Sequence, residues 1–268
     1  MVHGWRALWA GQSVVARIPP GVLMHLNLDD LVQREIFFTG AFEPDTVRFL
    51  SAYLKPGMHF VDIGANVGQF TLIGAALVGT GGSVYAFEPA RRTYEALSEN
   101  IRLNDFTHVA AEQAALSDHV GEANFYAEEH ENWGMSSLTA FETAGTDYAA
   151  APPQVVALTT LDAYLAERKI KRIDFIKMDA EGAELSILRG ARSLLSTCPP
   201  PRILCELNFI TCGRFGYHPR EIVTLLAGYG YRAFHLDAAT EDDQTPLGSL
   251  DALEGRGHVD AVFRLTSS

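Results

Sequence analysis

Apolar and polar positions along this chain repeat with two different periods, and the changes between them mark out the elements. Short apolar runs bounded by glycine, proline or charge read as strands at 59–63, 83–87, 109–116, 173–178, 203–207, 231–236 and 259–265, and 155–160 has a β-like pattern. Two further stretches, 21–28 and 121–128, have a β-like pattern. Apolar residues recur at helical spacing over 44–53, 68–77, 90–104, 184–195 and 219–226. In the first of these Val47, Leu50 and Leu54 share one face and Pro56-Gly57 stops the helix, while the last opens on Pro219 in its first turn. Strands alternating with helices predict an α/β fold with a mostly parallel sheet covered on both faces. The final two strands are joined by an acidic loop, 237–257, without an apolar helical face, so they should pair as an antiparallel hairpin at one edge. Residues 1–54 read as a cap or extension on a main domain spanning 55–268, and the polar stretch 129–153 reads as a loop near the site.

The densest information lies in His59-Phe-Val-Asp-Ile-Gly-Ala-Asn-Val-Gly-Gln-Phe70, a strand running through a tight turn into a helix. Gly64 permits the turn, Gly68 permits close approach of the helix to a ligand, and Asn66 tolerates left-handed backbone angles. Glu88 closes the next strand, twenty residues after Gly68, where one carboxylate can accept from both ribose hydroxyls. Gly-Ala-Asn-Val-Gly does not match the dinucleotide pattern Gly-x-Gly-x-x-Gly, and Asp62 makes a poor neighbour for a pyrophosphate. Asp62 is a better neighbour for the ammonium of a methionine moiety, which favours S-adenosylmethionine as the nucleotide.

Other candidates follow along the chain. Leu116, with the alanines before it, offers a flat wall for an adenine, and Ser117 or Asp118 can reach its exocyclic amine. Asp174 to Glu184 gathers carboxylates and a lysine at one strand end, where Asp179 or Glu181 can take a proton from an acceptor hydroxyl and Glu184 can complement a helix N-terminus. His130, His218 and His235 fall in loops or at strand ends, with His218 a further candidate base, and Trp133 can close over a bound molecule. Glu206 and Asn208, beside Asp179, form an acid, acid and amide set that can hold magnesium.

Composition narrows the partners. A formal net charge of −12 argues against a large nucleic-acid footprint. No run of about 18 apolar residues occurs, so no membrane span is expected, and residues 1–20 lack a secretory apolar core. The 3 cysteines make no disulfide framework and lack the close pairs zinc prefers, so a reducing, cytoplasmic setting is expected.

Taken together, the segments resemble the FkbM family of S-adenosylmethionine-dependent methyltransferases. The resemblance rests on Asp62 to Gly68, Phe87-Glu-Pro89 with Tyr94, Leu97, Asn100 and Asn104, Asn132 to Leu138, Thr160-Leu-Asp162, and Asp174 to Glu184 with Leu188-Arg-Gly-Ala191. It runs from about residue 36 to 208 and fades outside. It implies a class I methyltransferase, with a Rossmann-like, mostly parallel seven-stranded sheet that has an antiparallel C-terminal hairpin and helices on both faces. It also implies methyl transfer to a hydroxyl of a small molecule such as a sugar, a polyketide or another secondary metabolite. The cofactor roles it carries over fall on Asp62, Gly64, Asn66, Gly68 and Glu88. Two other readings stay open: a magnesium-dependent catechol-type transferase, and a cofactor-binding subunit without catalysis. The acceptor and the oligomeric state, with a homodimer one option, are left open.

Overall fold

The structure is a computed structural model that describes residues 11–127, 137–139, 152–197, 199–236, 245–248, 250, 255 and 257–265. Cys198, His130, Trp133, nearly all of the 129–153 loop and most of the 237–257 loop lie outside the described residues.

The head begins with an antiparallel pair, β1 (Ser13–Ile18) and β2 (Val22–Asn27), followed by helices α1 (Leu31–Thr39) and α2 (Pro44–Tyr53). The main domain continues with β3 (His59–Ile63), α3 (Gln69–Val78), β4 (Ser83–Phe87), α4 (Arg91–Leu103), β5 (Val109–Glu112), β6 (Ala114–Leu116) and β7 (Gly121–Phe125). Then come β8 (Gln154–Thr159), α5 (Leu161–Glu167), β9 (Phe175–Met178), α6 (Glu184–Arg189), α7 (Arg192–Leu195) and β10 (Arg202–Asn208). The chain ends with α8 (Phe209–Arg214), α9 (Arg220–Gly228), β11 (Tyr231–His235) and β12 (His258–Leu265).

Seven strands form one sheet in the order β11-β12-β10-β9-β3-β4-β5. The neighbours from β10 through β5 run parallel, and β12 runs antiparallel to both β10 and β11. The chain leaves β3 toward β4 and β5, then returns to β9 on the other side of β3. That reversal opens a crevice at the carboxyl ends of the strands, where α/β sheets bind ligands.

Strand alternation divides the core. Phe60, Phe175, Leu204 and Val262 face α2 and α3, while Val61, Ile176, Ile203, Cys205 and Phe263 face the layer built by α5, α6, α7 and α9. The same parity places Asp62, Lys177, Glu206 and Asp260 on the α2 and α3 side at the top of the sheet, with Asp62 beside Lys177 and Glu206 beside Asp260 in register. α4 shows why a short segment holds its helix: Thr93, Leu97, Asn100 and Ile101 are its buried residues, one stripe at helical spacing.

Several expected elements differ. The run at 109–116 divides, with β5 staying in the main sheet and β6 joining a small sheet ordered β6-β8-β7. The helix expected over 184–195 breaks after Arg189, where a side chain on Gly190 would lie 2.1 Å from the Ser117 carbonyl. The final hairpin forms, but β12 inserts between β10 and β11, so only β11 is the edge. β1, α1, α5 and α8 are additional to the expected elements, and α1 is secured by Asp30, whose carboxylate accepts from the Gln33 N–H at 2.9 Å. Among the described residues no helix is long and apolar enough to cross a membrane.

Candidate active site

A cavity of about 410 Å³ opens over the carboxyl ends of β3, β4, β9 and β10. Of the residues expected at a site, Gly64, Asn66, Glu88, Leu116, Asp179, Glu181 and Glu206 are on its wall.

The turn after β3 is shaped by its neighbours. Gly64 has φ of 73°, and a Cβ there would sit 1.8 Å from the Asp179 carbonyl oxygen, so two strand ends meet at a point where no side chain fits. Asn66 adopts φ of 50°, the left-handed geometry its residue type tolerates, and its Oδ1 is buried without a hydrogen-bond partner. Gly68 serves a different neighbour from the one expected. It is not on the cavity wall, and its missing side chain makes room for Leu97 of α4, whose Cδ1 would be 2.7 Å from an added Cβ.

Glu88 is buried and accepts from the Asn66 N–H and the Ala90 N–H, each at 2.9 Å. Burial pushes its carboxyl above the usual range, while hydrogen bonds from Thr93, Ala90 and Asn66 pull it back. These donors leave the carboxylate room to accept from a ligand hydroxyl as well. Beside it Phe87, Pro89, Ala114, Ala115, Leu116 and Phe125 make an apolar wall.

Asp62 is fully buried but is not on the wall, because strand parity turns it under α3. One oxygen accepts from the Thr71 hydroxyl at 2.6 Å and the other, Oδ1, has no hydrogen-bond partner. Burial raises its carboxyl, opposed by the nearby Lys177 ammonium and by Thr71. The direct contact with a ligand ammonium expected from the sequence is therefore not available to this carboxylate as it stands.

The opposite end of the cavity is rich in carboxylates. Lys177 is only 4% exposed, lies 3.3 Å from Asp179 Oδ2, and stands 4.7 Å from the centre of the Phe70 ring. Burial alone would favour the neutral amine, but Asp179, Asp62 and Glu43 together outweigh it and hold the ammonium charged above its usual range. Burial and then the charges of Asp179 and Glu184 push Glu181 up to about 8, with Arg214 and Lys177 opposing. Burial, Asp179 and Glu181 push Glu206 up to about 10. Glu43, which the sequence reading did not single out, is also on the wall, raised to about 7 by burial against the pull of Lys177.

Three candidates serve other ends. Glu184 braces the loop after β9, accepting from the Ala180 and Gly182 N–H groups at 2.8 and 3.3 Å. Ser117 is buried off the wall, its N–H donating to the Thr159 carbonyl at 2.9 Å. His218 is also off the wall: its Nδ1 accepts from the Arg220 N–H at 3.1 Å, and its ring packs edge-on against Phe209. A histidine turned to that use at the start of α9 is in no position to take a proton inside the cavity. His235, too, is absent from the wall.

The magnesium set fits poorly. Asn208 Oδ1 already accepts from the Ile210 and Thr211 N–H groups at 3.0 and 3.2 Å, capping α8, and its amide faces Glu206 Oε2 at 3.3 Å. Among the described residues no three His, Cys, Asp or Glu side chains converge on one point.

The strand order, with β12 inserted antiparallel beside the edge, and a cavity over the switch point define a class I methyltransferase fold. The family model for the FkbM methyltransferase domain matches residues 62–233, and the chain belongs to that family. Three curated relatives show how far the likeness extends. The 31-O-demethyl-FK506 methyltransferase FkbM of Streptomyces tacrolimicus is 29% identical over 244 residues, covering 80% of this chain and 87% of the relative. Methyltransferase 1 of Beauveria bassiana is 29% identical over 174 residues, 60% of this chain and 66% of the relative. Methyltransferase sdnD of Sordaria araneosa is 32% identical over 162 residues, 52% of this chain and 62% of the relative. The matches to these last two thus span just under two thirds of their lengths.

Proposed function

We propose that this chain moves the methyl group of S-adenosylmethionine to a hydroxyl of a small molecule. The observation that carries the reading is a single cavity joining the Gly64 to Val67 turn, Glu88 and an apolar wall at one end with Asp179 and Glu181 at the other. The residues fit the cofactor chemically. Glu88 offers a carboxylate acceptor to a ligand hydroxyl, the 114–116 wall suits an adenine face, and Asn66 Oδ1 is a buried acceptor in want of a donor. When bound, the cofactor supplies a methyl on a sulfonium, whose neutral thioether is a good leaving group.

The chain's remaining tasks are alignment and proton transfer. Holding the two reactants in line can contribute on the order of 7–11 kcal/mol. Asp179 or Glu181 accepts the hydroxyl proton, and Glu181, raised to about 8, is poised close to neutral pH. Glu206, raised to about 10, keeps its proton there and serves as a hydrogen-bond donor to the acceptor. Asp62 acts from behind the wall, its charge helping to keep Lys177 in place. The name of the Streptomyces relative, which refers to a 31-O-demethyl compound, supports oxygen as the receiving atom. In the same reading residues 1–54 cap the 55–268 domain, since Phe42 and Glu43 reach the cavity.

Calorimetric titration with S-adenosylhomocysteine, with NAD as the parallel control, tests the cofactor. Micromolar binding of the first alone is expected, and a response to NAD alone would overturn the reading.

A further inference from the structure

We propose that Glu43, carried by the head of the chain, is the residue by which the cavity tells a positively charged sulfonium donor from the neutral thioether it becomes. The inference rests on the methyl-transfer reading above and concerns a residue outside the 62–233 stretch that the family model matches.

Placement comes first. The Phe42 N–H donates to Gln69 Oε1 at 2.7 Å, and Gln69 Nε2 donates to the Phe42 carbonyl at 2.8 Å. Gln69 is buried and opens α3 immediately after the glycine turn, so this two-bond clamp ties the head to the turn and fixes the next residue, Glu43. Glu43 is held at φ of 49°, a left-handed geometry that costs energy for any side chain with a Cβ. Although it sits at the N-cap of α2, its side chain makes no capping hydrogen bond, and the residue forms part of the cavity wall instead.

Charge comes second. Glu43 feels Lys177 from β9, Asp179 beyond it, Asp260 from β12 and the Thr46 hydroxyl of its own helix, and Glu35, Glu181 and Glu206 share the same cavity. The Lys177 ammonium answers Asp179, Asp62 and Glu43 at once. One cation shared among three carboxylates leaves a deficit of positive charge, which a neutral ligand leaves in place and a sulfonium fills.

Direction comes third. Under the cofactor reading, Glu88 and the 114–116 wall take the adenosine over β4 and β6. The rest of the donor then runs across β3 toward β9, where Glu43 and Asp179 stand. The consequence is directional turnover: the charged donor is held, and the product, having lost its charge with its methyl, leaves. Because burial raises Glu43 to about 7, its negative charge grows in between pH 6 and 8, and the discrimination grows with it.

The test compares dissociation constants for S-adenosylmethionine and S-adenosylhomocysteine. The sulfonium lowers the pKa of its own compound's ammonium, so the ratio in Glu43→Gln is the reference at each pH. At pH 8 the wild type should bind the sulfonium at least about tenfold more tightly, with the ratio shrinking toward about threefold at pH 6. Glu43→Gln should bring the ratio below about threefold at both pH values while leaving thioether affinity within about threefold. Gln69→Leu, which releases the clamp but keeps the carboxylate, should lower the ratio as well. A wild-type ratio near one, a ratio that does not change with pH, or a ratio untouched in Glu43→Gln would overturn the inference and leave the cofactor reading standing. Failure of the wild type to bind either compound would overturn both. Glu181 titrates in the same range on the same wall, so the assignment to Glu43 rests on the comparison with Glu43→Gln at each pH, and Gln69→Leu supplies that comparison if Glu43→Gln does not fold.

Discussion

At one end of the cavity Glu88 accepts from two backbone N–H groups set 2.9 Å away, whereas at the other end Glu43, Glu181 and Glu206 are raised by burial and by one another around a shared Lys177. The first arrangement is nearly complete before any ligand arrives, and a ligand adds only hydroxyl donors. The second holds more carboxylates than its cation can neutralise, and protons or a charged ligand must make up the difference. A fold keeps such an unbalanced group where function uses it. The Glu88 end is thus organised by shape and hydrogen bonding, and the β9–β10 end by charge, which is the division the proposed function uses.

The largest effect that separates the two ends is steric. Gly64→Ala would drive a Cβ to within 1.8 Å of the Asp179 carbonyl oxygen, a backbone atom that cannot swing aside, at the seam where the ends join. A cost of about 3–5 kcal/mol and loss of cofactor binding are expected. Gly68→Ala, also at positive φ, meets only the tip of Leu97, which can move, so a smaller loss is expected. Thermal melts of the pair check this, and equal losses would mean that the Gly64 contact is not the cause.

Next come the proposed bases. Asp179→Asn and Glu181→Gln should lower kcat by roughly 10²–10⁴-fold in whichever variant lacks the base. If Glu181 is the base, kcat/KM should rise with pH through about 8, because the protonated form cannot accept, and Glu181→Gln should flatten that rise. Turnover close to wild type in both variants would remove the assignment.

How much of this was legible follows the same division. β3 and β4 begin and end where the hydrophobic pattern places them, and Gly64, Asn66 and Glu88 reach the cavity because one turn and one strand end, close in sequence, bring them together. Asp62 and Ser117 belong to the same local motifs but leave the wall, since a strand residue's face is set by parity and packing and not by proximity to a turn. Glu43 escaped notice because its neighbour Phe42 is fixed by tertiary hydrogen bonds to Gln69, 27 positions further along the sequence. Lys177 carried a readable signal, a charged residue on the same strand face as Phe175, although the pattern alone does not say which acids surround it. His218 looked available as a loop histidine, and only the packing shows its ring nitrogen already engaged.

At the nucleotide end, Glu88→Ala should weaken S-adenosylhomocysteine binding by roughly 1.5–3 kcal/mol through loss of charged hydrogen bonds. Part of that loss arises because the Asn66 and Ala90 N–H groups lose their acceptor, so Glu88→Gln, which can still accept, should lose less. An unchanged dissociation constant in calorimetry would take Glu88 out of the binding site.

The smallest expected effect probes the crowded end without any ligand. Glu206, raised to about 10, keeps in the folded chain a proton that the unfolded chain releases near its ordinary 4.5. Its contribution to stability is therefore full below about 4.5 and is lost as pH climbs toward 10. Glutamine imitates the protonated carboxyl and can still accept from the Asn208 amide, so Glu206→Gln removes that loss. Melting temperatures of wild type and variant should agree near pH 5, with the variant higher by roughly 2–6 °C at pH 9. A residual slope should persist in the variant, since Glu43 and Glu181 also hold protons that the unfolded chain gives up. A pH-independent gap between the two curves would show that packing, not charge, governs this end, and the contrast with Glu88 would then be one of shape alone.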